Sequence, residues 1–253
     1  MPKAQAILRL RYEKLNMAET YKGALEEARR LLGNCGLFRG LNIDERAAII
    51  NRARIRNFAA GERIFSLGAP GDYMAAVLTG TIRITVPSPH GRELLLAILE
   101  AGELFGEIAL LDGKERSADA TANTSSVLAI LDRHEVLSFL ERNPAAWPRI
   151  VEILCDRIRH TDIQLAEVAL LRLPARLAKA ILRIASNDPK SAADYRHFHV
   201  QLTQQDLANM VGATRETVNK CLAVWQRQGL IHIDGGQITV ADRSRLEALV
   251  QLI

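Results

Sequence analysis

The sequence predicts an α+β chain: an antiparallel β-roll of jelly-roll type, a long central helix, and a C-terminal helical domain that ends in a hairpin. Three observations carry that expectation. Short strand-like runs alternate with turn residues over 62–99, a heptad of apolar positions runs from Val151 to Val168, and two short helical patterns meet at a glycine within 203–231. At 253 residues and 48% hydrophobic, the chain can bury two modest cores. The expected segments are a helical extension over 1–33, the roll over 34–145, the central helix over 146–170 and the C-terminal domain over 171–253.

The elements follow in order. A helical leader is expected from about Ala18 to Leu32, and strands over Glu62–Phe65, Tyr73–Leu78, Thr81–Val86 and Glu93–Leu99. Gly-Ala-Pro-Gly at 68–71, Thr-Gly at 79–80 and Ser-Pro-His-Gly at 88–91 separate them. In TIRITV, polar Thr81, Arg83 and Thr85 alternate with apolar Ile82, Ile84 and Val86, so one face is buried. Turns at this spacing suggest a roll or sandwich that closes near Leu131. Asp132, with Glu135 three residues on, marks a helix start. Next, Val151, Leu154, Ile158, Thr161, Leu165 and Val168 step by threes and fours. Such a stripe can pack on the roll or join two copies of the chain, and its length favours a dimer. A helix is expected from Pro174 to about Ala185, then a strand in FHVQLT that buries Phe198, Val200 and Leu202. Its other face carries His197 and His199, too few ligands for a metal and read as solvated surface.

Composition excludes several classes. Apolar runs such as Met74–Leu78 and Leu94–Leu99 are far shorter than the roughly 20 residues that span a bilayer, so no membrane partner is expected. The first 20 residues intersperse charges with apolar positions and lack a signal peptide's uninterrupted core, which points to the cytoplasm. Cys35, Cys155 and Cys221 are too scattered for a metal or cluster site and read as reduced thiols. Residues 171–253 carry 11 Lys+Arg against 7 Asp+Glu, while the first 170 carry 22 of each. All the excess positive charge therefore lies in the last third, a pointer to a polyanion there.

That last third is the most specific part. Thr203 and Asp206 can cap a first helix carrying Leu207 and Met210, Gly212 allows a tight turn, and Thr214 can cap a second helix with Val218, Leu222 and Trp225 buried. This is a helix-turn-helix, and IHIDGGQITV supplies a wing around Asp234-Gly235-Gly236. Arg215, Glu216, Asn219 and Lys220 project from the first two turns of the second helix, where base edges of the major groove are met. Arginine can grip guanine with two donors and glutamate can accept from cytosine. An ordinary charged helix face explains any one of these residues, but less well the caps, turn, wing and local charge together.

With these parts in this order, the chain resembles the Crp/Fnr family of bacterial transcription regulators from about Leu37 onward, most specifically in GEIALLDGKERSADA (106–120) and GATRETVNKCL (212–222). The first stretch resembles the phosphate-binding cassette of cyclic-nucleotide domains. A helix N-terminus there suits an anion. The resemblance implies that Arg116 pairs with a cyclic phosphate, Ser117 adds a hydroxyl, Glu107 accepts from the ribose 2'-hydroxyl, and the backbone of Gly106, Ile108 and Ala109 lies close to the ligand. Spacing alone also allows a plain Glu107–Arg116 ion pair. The family's base-contacting pair on the central helix aligns with Thr161 and Asp162, with Arg157 one turn earlier behind Glu107. The resemblance implies cyclic AMP as the favoured allosteric ligand; the family pattern has serine where Asp162 stands, and because a carboxylate could accept from guanine, cyclic GMP is the alternative. Arg215 and Glu216 match the family's recognition helix, with Lys220 in place of arginine.

The resemblance further implies a homodimer on palindromic double-stranded DNA with TGTGA-like half-sites, acting with RNA polymerase. Its recognition helices would be set roughly 34 Å apart through a hinge at Ala169–Pro174. One rival keeps the fold but answers to redox, gas or haem, or needs no ligand. A metal-dependent jelly-roll enzyme is a second rival, but His90 is the sole histidine in 60–131, so neither catalytic residues nor a metal site are expected.

Overall fold

In the computed structural model, which describes residues 43–89, 91, 93–187, 199, 200, 203–234 and 237–251, the chain forms two compact units. One contains the described residues up to Thr85 with Ala97–Cys155, and the other Val86–Leu96 with the described residues from Asp156 onward. The leader over Ala18–Leu32, and Cys35, His90, His197, Phe198, Leu202, Gly235 and Gly236, lie outside the described residues.

Helix α1 (Ile43–Ile50) is followed by β1 (Arg54–Phe58), β2 (Arg63–Phe65), β3 (Tyr73–Thr79), β4 (Ile82–Pro87), β5 (Glu93–Leu99), β6 (Leu104–Phe105), β7 (Asp119–Ala122) and β8 (Ser126–Asp132). They make two four-stranded antiparallel sheets, ordered β1-β8-β3-β6 and β2-β7-β4-β5. Strand β3 is central because both its faces are apolar. Met74, Ala76 and Leu78 pack with Ile49, Leu131 and Leu140, while Ala75 and Val77 are buried on the opposite face, as a period of two requires. Met74 pairs with Leu131, which fixes the register of β3 against β8. Phe65 of one sheet meets Phe105 and Tyr73 of the other, with ring centroids 5.8 and 6.2 Å apart.

The roll closes at Asp132, as expected, and helix α3 (Arg133–Arg142) follows. Its expected N-terminal box does not form. Asp132 is the cap residue without a side-chain cap bond; its carboxylate accepts from Arg54 Nη2 at 2.5 Å, and Glu135 pairs with Arg52. Two charge-assisted bonds to arginines outcompete a local bond to backbone N–H. The Arg52 bond also holds the Glu135 carboxyl below the usual carboxylate range.

A short 3₁₀ turn (Pro144–Ala146) leads into helix α4 (Trp147–Leu170), and helix α5 (Leu173–Asn187) begins three residues later. Of the segment expected to act as a hinge, only residues 171 and 172 lie outside the two helices. Within the second unit it is braced: Glu167 pairs with Lys179 at 3.0 Å, and Arg176 Nη1 donates to Val168 O at 3.0 Å. The tip of the β4–β5 hairpin belongs here too, since Gln164 Nε2 donates to Leu96 O at 3.1 Å.

Helices α6 (Gln204–Val211) and α7 (Arg215–Arg227) are followed by β10 (Ile231–Asp234), β11 (Gln237–Val240) and α8 (Arg243–Gln251). Strand β9 (His199–Val200) adds to the hairpin through β11, with Val200 opposite Ile238. Leu177, Ile181, Leu207, Val218, Leu222 and Trp225 form the centre of this unit's core.

Candidate ligand-binding and DNA-binding sites

Strand β6 runs into Gly106, whose φ of 80° is left-handed, and the chain turns there into helix α2 (Glu107–Asp112). A second left-handed glycine, Gly113, ends it. This places Glu107 on the first residue of a six-residue helix with its side chain 4% exposed. Arg116 returns beside it, 2% exposed. Nη1 of Arg116 donates to Gly106 O at 2.9 Å and Nη2 to Tyr73 O at 2.6 Å. Its guanidinium carbon lies 4.1 Å from the Phe65 ring centroid and 4.6 Å from that of Tyr73. Its Nε–H is buried and finds no acceptor among the described residues. Burial pulls the guanidinium pKa down, and Tyr73, Asp72 and Glu107 oppose that pull. Burial likewise raises the Tyr73 hydroxyl, against the nearby Arg116 and Arg56. A guanidinium stays charged in any case. The cassette is therefore a fixed cation beside a fixed carboxylate, at the edge of an aromatic cluster.

The loop before β3 is part of the site, and sequence reasoning saw only its turn residues. A Cβ at Gly71 would lie 2.4 Å from Ala109 Cβ and 2.7 Å from Lys114 O, so only glycine lets this loop touch the cassette helix. Two backbone bonds seal it, Gly68 N–H to Arg116 O and Arg116 N–H to Ala69 O, at 2.9 and 2.8 Å. Ser117 and Ile108 are exposed at the same end, and Ala109 is buried.

Arg157, Thr161 and Asp162 belong to the second unit. Thr161 and Asp162 are exposed next to each other, and the Thr161 hydroxyl donates to Arg157 O at 2.9 Å. On the same helix, Val151, Ile158, Leu165 and Val168 are 54, 61, 67 and 50% exposed. Leu154, the other apolar member of the heptad, is partly buried against the roll's core.

In the helix-turn-helix the local chemistry matches the sequence closely. Thr203 and Asp206 form a complete capping box at α6, Gly212 ends it at φ 64°, and Thr214 Oγ1 accepts from Thr217 N–H to cap α7. Val218, Leu222 and Trp225 are buried, and Arg215, Glu216 and Lys220 are exposed on the outer face. Lys220 Nζ lies 2.6 Å from Glu216 Oε1, one turn apart. Asn219 is only partly exposed and its Oδ1 is buried without a partner among the described residues, so it is less open to solvent than the other three.

A roll that carries this cassette and a helix-turn-helix with a charged, exposed outer face are the two parts of a DNA-binding regulator. Residues 55–143 match the cyclic nucleotide-binding domain family, and residues 175–249 the Crp-like helix-turn-helix domain. The chain is 31% identical over 216 residues to a CRP-like cAMP-activated global transcriptional regulator of Mycobacterium tuberculosis, covering 85% of this chain and 96% of that one. It is 30% identical over 213 residues to a cyclic AMP receptor protein of Thermus thermophilus, covering 84% and 95%. Among solved structures, a c-di-GMP responsive global regulator of Xanthomonas campestris shares the fold with a TM-score of 0.71 at 20% identity, over 79% of this chain and 99% of that one. The chain belongs to the Crp/Fnr family of transcription regulators. Its two domains are a cyclic nucleotide-binding domain and a DNA-binding helix-turn-helix, and it is a regulator and not an enzyme. Among the described residues no helix is long and apolar enough to cross a membrane, and no cluster of three metal-ligating side chains occurs.

Proposed function

We propose that the chain is a cytoplasmic homodimeric regulator whose operator affinity is set by a cyclic nucleotide bound at the cassette, cyclic AMP first and cyclic GMP as the alternative. The observation that carries this reading is Arg116. A cation 2% exposed, with its Nε–H lacking an acceptor among the described residues and a buried carboxylate nearby, is costly unless an anion completes it. The cyclic phosphate supplies that acceptor, and the ribose hydroxyl supplies a donor for Glu107. The cAMP-activated regulator of Mycobacterium tuberculosis and the cyclic AMP receptor protein of Thermus thermophilus support the choice of nucleotide.

The exposed apolar stripe of Val151, Ile158, Leu165 and Val168 supports dimerisation through α4, since exposed large aliphatics at heptad spacing are best covered by a second copy. Thr161 and Asp162 are assigned to the base, and a carboxylate at 162 could accept from guanine. Arg215, Glu216 and Lys220 are assigned to base edges, Thr203 and Thr214 to the backbone, and Asn219 to a lesser role. Palindromic DNA with TGTGA-like half-sites is the expected operator, with RNA polymerase as the further partner.

Isothermal titration with cyclic AMP and cyclic GMP, with Arg116→Leu as control, tests the reading. Tight binding that the control abolishes is expected, and Asp162→Ser should move the preference toward cyclic AMP. Folded, ligand-free protein that gives no heat with either nucleotide would overturn it.

A further inference from the structure

Helix α2 has only six residues, too short to hold its own shape in water. Its C-terminal carbonyls need donors from elsewhere, and the capping N–H of Gly113 satisfies only Ala109 O. The next carbonyl, Leu110 O, accepts from Arg133 Nε–H at 2.7 Å. Arg133 is the first residue of α3, 23 positions further along the chain. A cation at a helix C-terminus is favoured by the helix dipole, and a charge-assisted bond of this length is a strong one. The Arg133 guanidinium also closes over the left-handed turn, since a Cβ at Gly113 would lie 3.3 Å from its Nη2.

The same residue holds the other wall of the cassette. Arg133 N–H donates to Asp72 O at 2.7 Å. Asp72 lies between Gly71, which packs on Ala109, and Tyr73, whose carbonyl accepts from Arg116. One residue therefore fastens the cassette helix with its side chain and the cassette loop with its backbone, both to the start of α3. That helix is set in the core beyond: Val136, Phe139 and Leu140 pack in one cluster with Leu110 and with Ile150 of α4.

We propose that Arg133 is a positioning residue that couples the cassette to α3, so that occupation of the cassette is transmitted to α3 through its bond to Leu110 O. It touches neither phosphate nor sugar in this scheme. The inference rests on the cyclic-nucleotide reading for its trigger, while the fastening itself rests on the two bonds of Arg133.

The test uses Arg133→Met, which keeps the stem and removes the donors, and Arg133→Lys, which restores a cation. Amide hydrogen exchange is read in the full-length protein with and without saturating cyclic AMP. In the ligand-free state Arg133→Met should exchange about tenfold faster over 107–114, with protection of β3 and β8 unchanged. Cyclic AMP should still bind the variant and alter exchange in α2, but the ligand-dependent change in α3 seen in the wild type should fall about tenfold, with partial return in Arg133→Lys. Unchanged ligand-free exchange over 107–114 would overturn the proposal, and so would an undiminished α3 response in Arg133→Met. A loss of β3 and β8 protection would do so as well, by making the residue a general support of the roll. If the wild type binds no nucleotide, the functional reading fails instead, while the ligand-free comparison still decides whether Arg133 holds the cassette.

Discussion

Arg116 and Arg215 each lie within the motif that identifies their domain, and they are built in opposite ways. Arg116 is 2% exposed, gripped by two carbonyls and stacked on two rings, and the fold closes around it. Arg215 is exposed at the first position of α7, a helix whose hold on its domain comes from Val218, Leu222 and Trp225 on the other face. On the proposed reading, recognition and stability are carried by the same atoms in the roll and by opposite faces of one helix in the helix-turn-helix. Ligand-site substitutions should therefore register in stability as well as binding, and reading-face substitutions in binding alone.

The largest effect should come from Arg116→Leu. It removes the donor to Tyr73 O and one of the two donors to Gly106 O, which keeps Leu110 N–H, and a buried unsatisfied group costs about 1–3 kcal/mol; it also removes the cation from the Phe65 and Tyr73 rings, at about 0.5–2 kcal/mol. Thermal unfolding should show a loss of about 2–4 kcal/mol in the roll together with loss of nucleotide binding. A variant that loses binding at full stability would break the comparison, because Arg116 would then be a free-standing ligand contact.

Gly71→Ala should follow, at about 1–3 kcal/mol from overpacking, since its Cβ meets Ala109 and the Lys114 carbonyl below contact distance. Gly212→Ala is the matching change in the DNA-binding domain. Nothing lies within 4 Å of its Cβ, so only the left-handed φ of 64° opposes it, at about 1 kcal/mol. Equal losses by denaturant unfolding would mean that the loop at Gly71 can move away from the cassette.

Arg215→Ala should weaken binding to a TGTGA-type operator by about 1–3 kcal/mol and relax preference at one base pair, leaving the unfolding midpoint in place. Gel-shift titrations against the operator and single-base variants would measure this. An equal loss on every sequence would reassign Arg215 to the phosphate backbone.

The contrast also explains what could be read in the sequence. The capping residues Thr203, Asp206, Gly212 and Thr214 act within four positions of themselves, so their roles were legible one by one. The cassette was legible as a motif, but not its supports. Gly71 looks like an ordinary turn glycine until Ala109 is beside it, and Arg133 like a surface charge until its guanidinium reaches Leu110 O. Strand β1 escaped notice because Arg54, Arg56 and Asn57 of RIRNF are exposed on an edge strand, which blurs alternation. Strand β6 has two residues and β7 reads DATA, with too little apolar bulk for a strand signal. Asp132 stands at the cap position, but its box with Glu135 does not form, because nothing local announces that Arg54 and Arg52, some eighty residues earlier, claim the two carboxylates.

The smallest effect probes the sealed side of the recognition helix. Cys221 follows Lys220 on α7, but its thiol is partly buried against the core, and burial pushes it up to about 11. The neutral thiol is the favoured form in the folded state. Its contribution to stability is therefore intact below the ordinary thiol range and is lost as pH rises from about 9 through about 11. Denaturant midpoints should be flat from about pH 7 to 8.5 with respect to this group and fall above about 9, and Cys221→Ala should flatten part of that fall. At about pH 8 the thiolate fraction should be roughly a hundredfold lower than in the unfolded chain, so alkylation of Cys221, followed by peptide mass spectrometry, should be correspondingly slow in native protein and fast in denaturant. Rapid native alkylation would mean that the inner flank of α7 is open to solvent. The separation between a reading face that carries no stability and a packed face that carries all of it would then fail at the one residue that lies next to both.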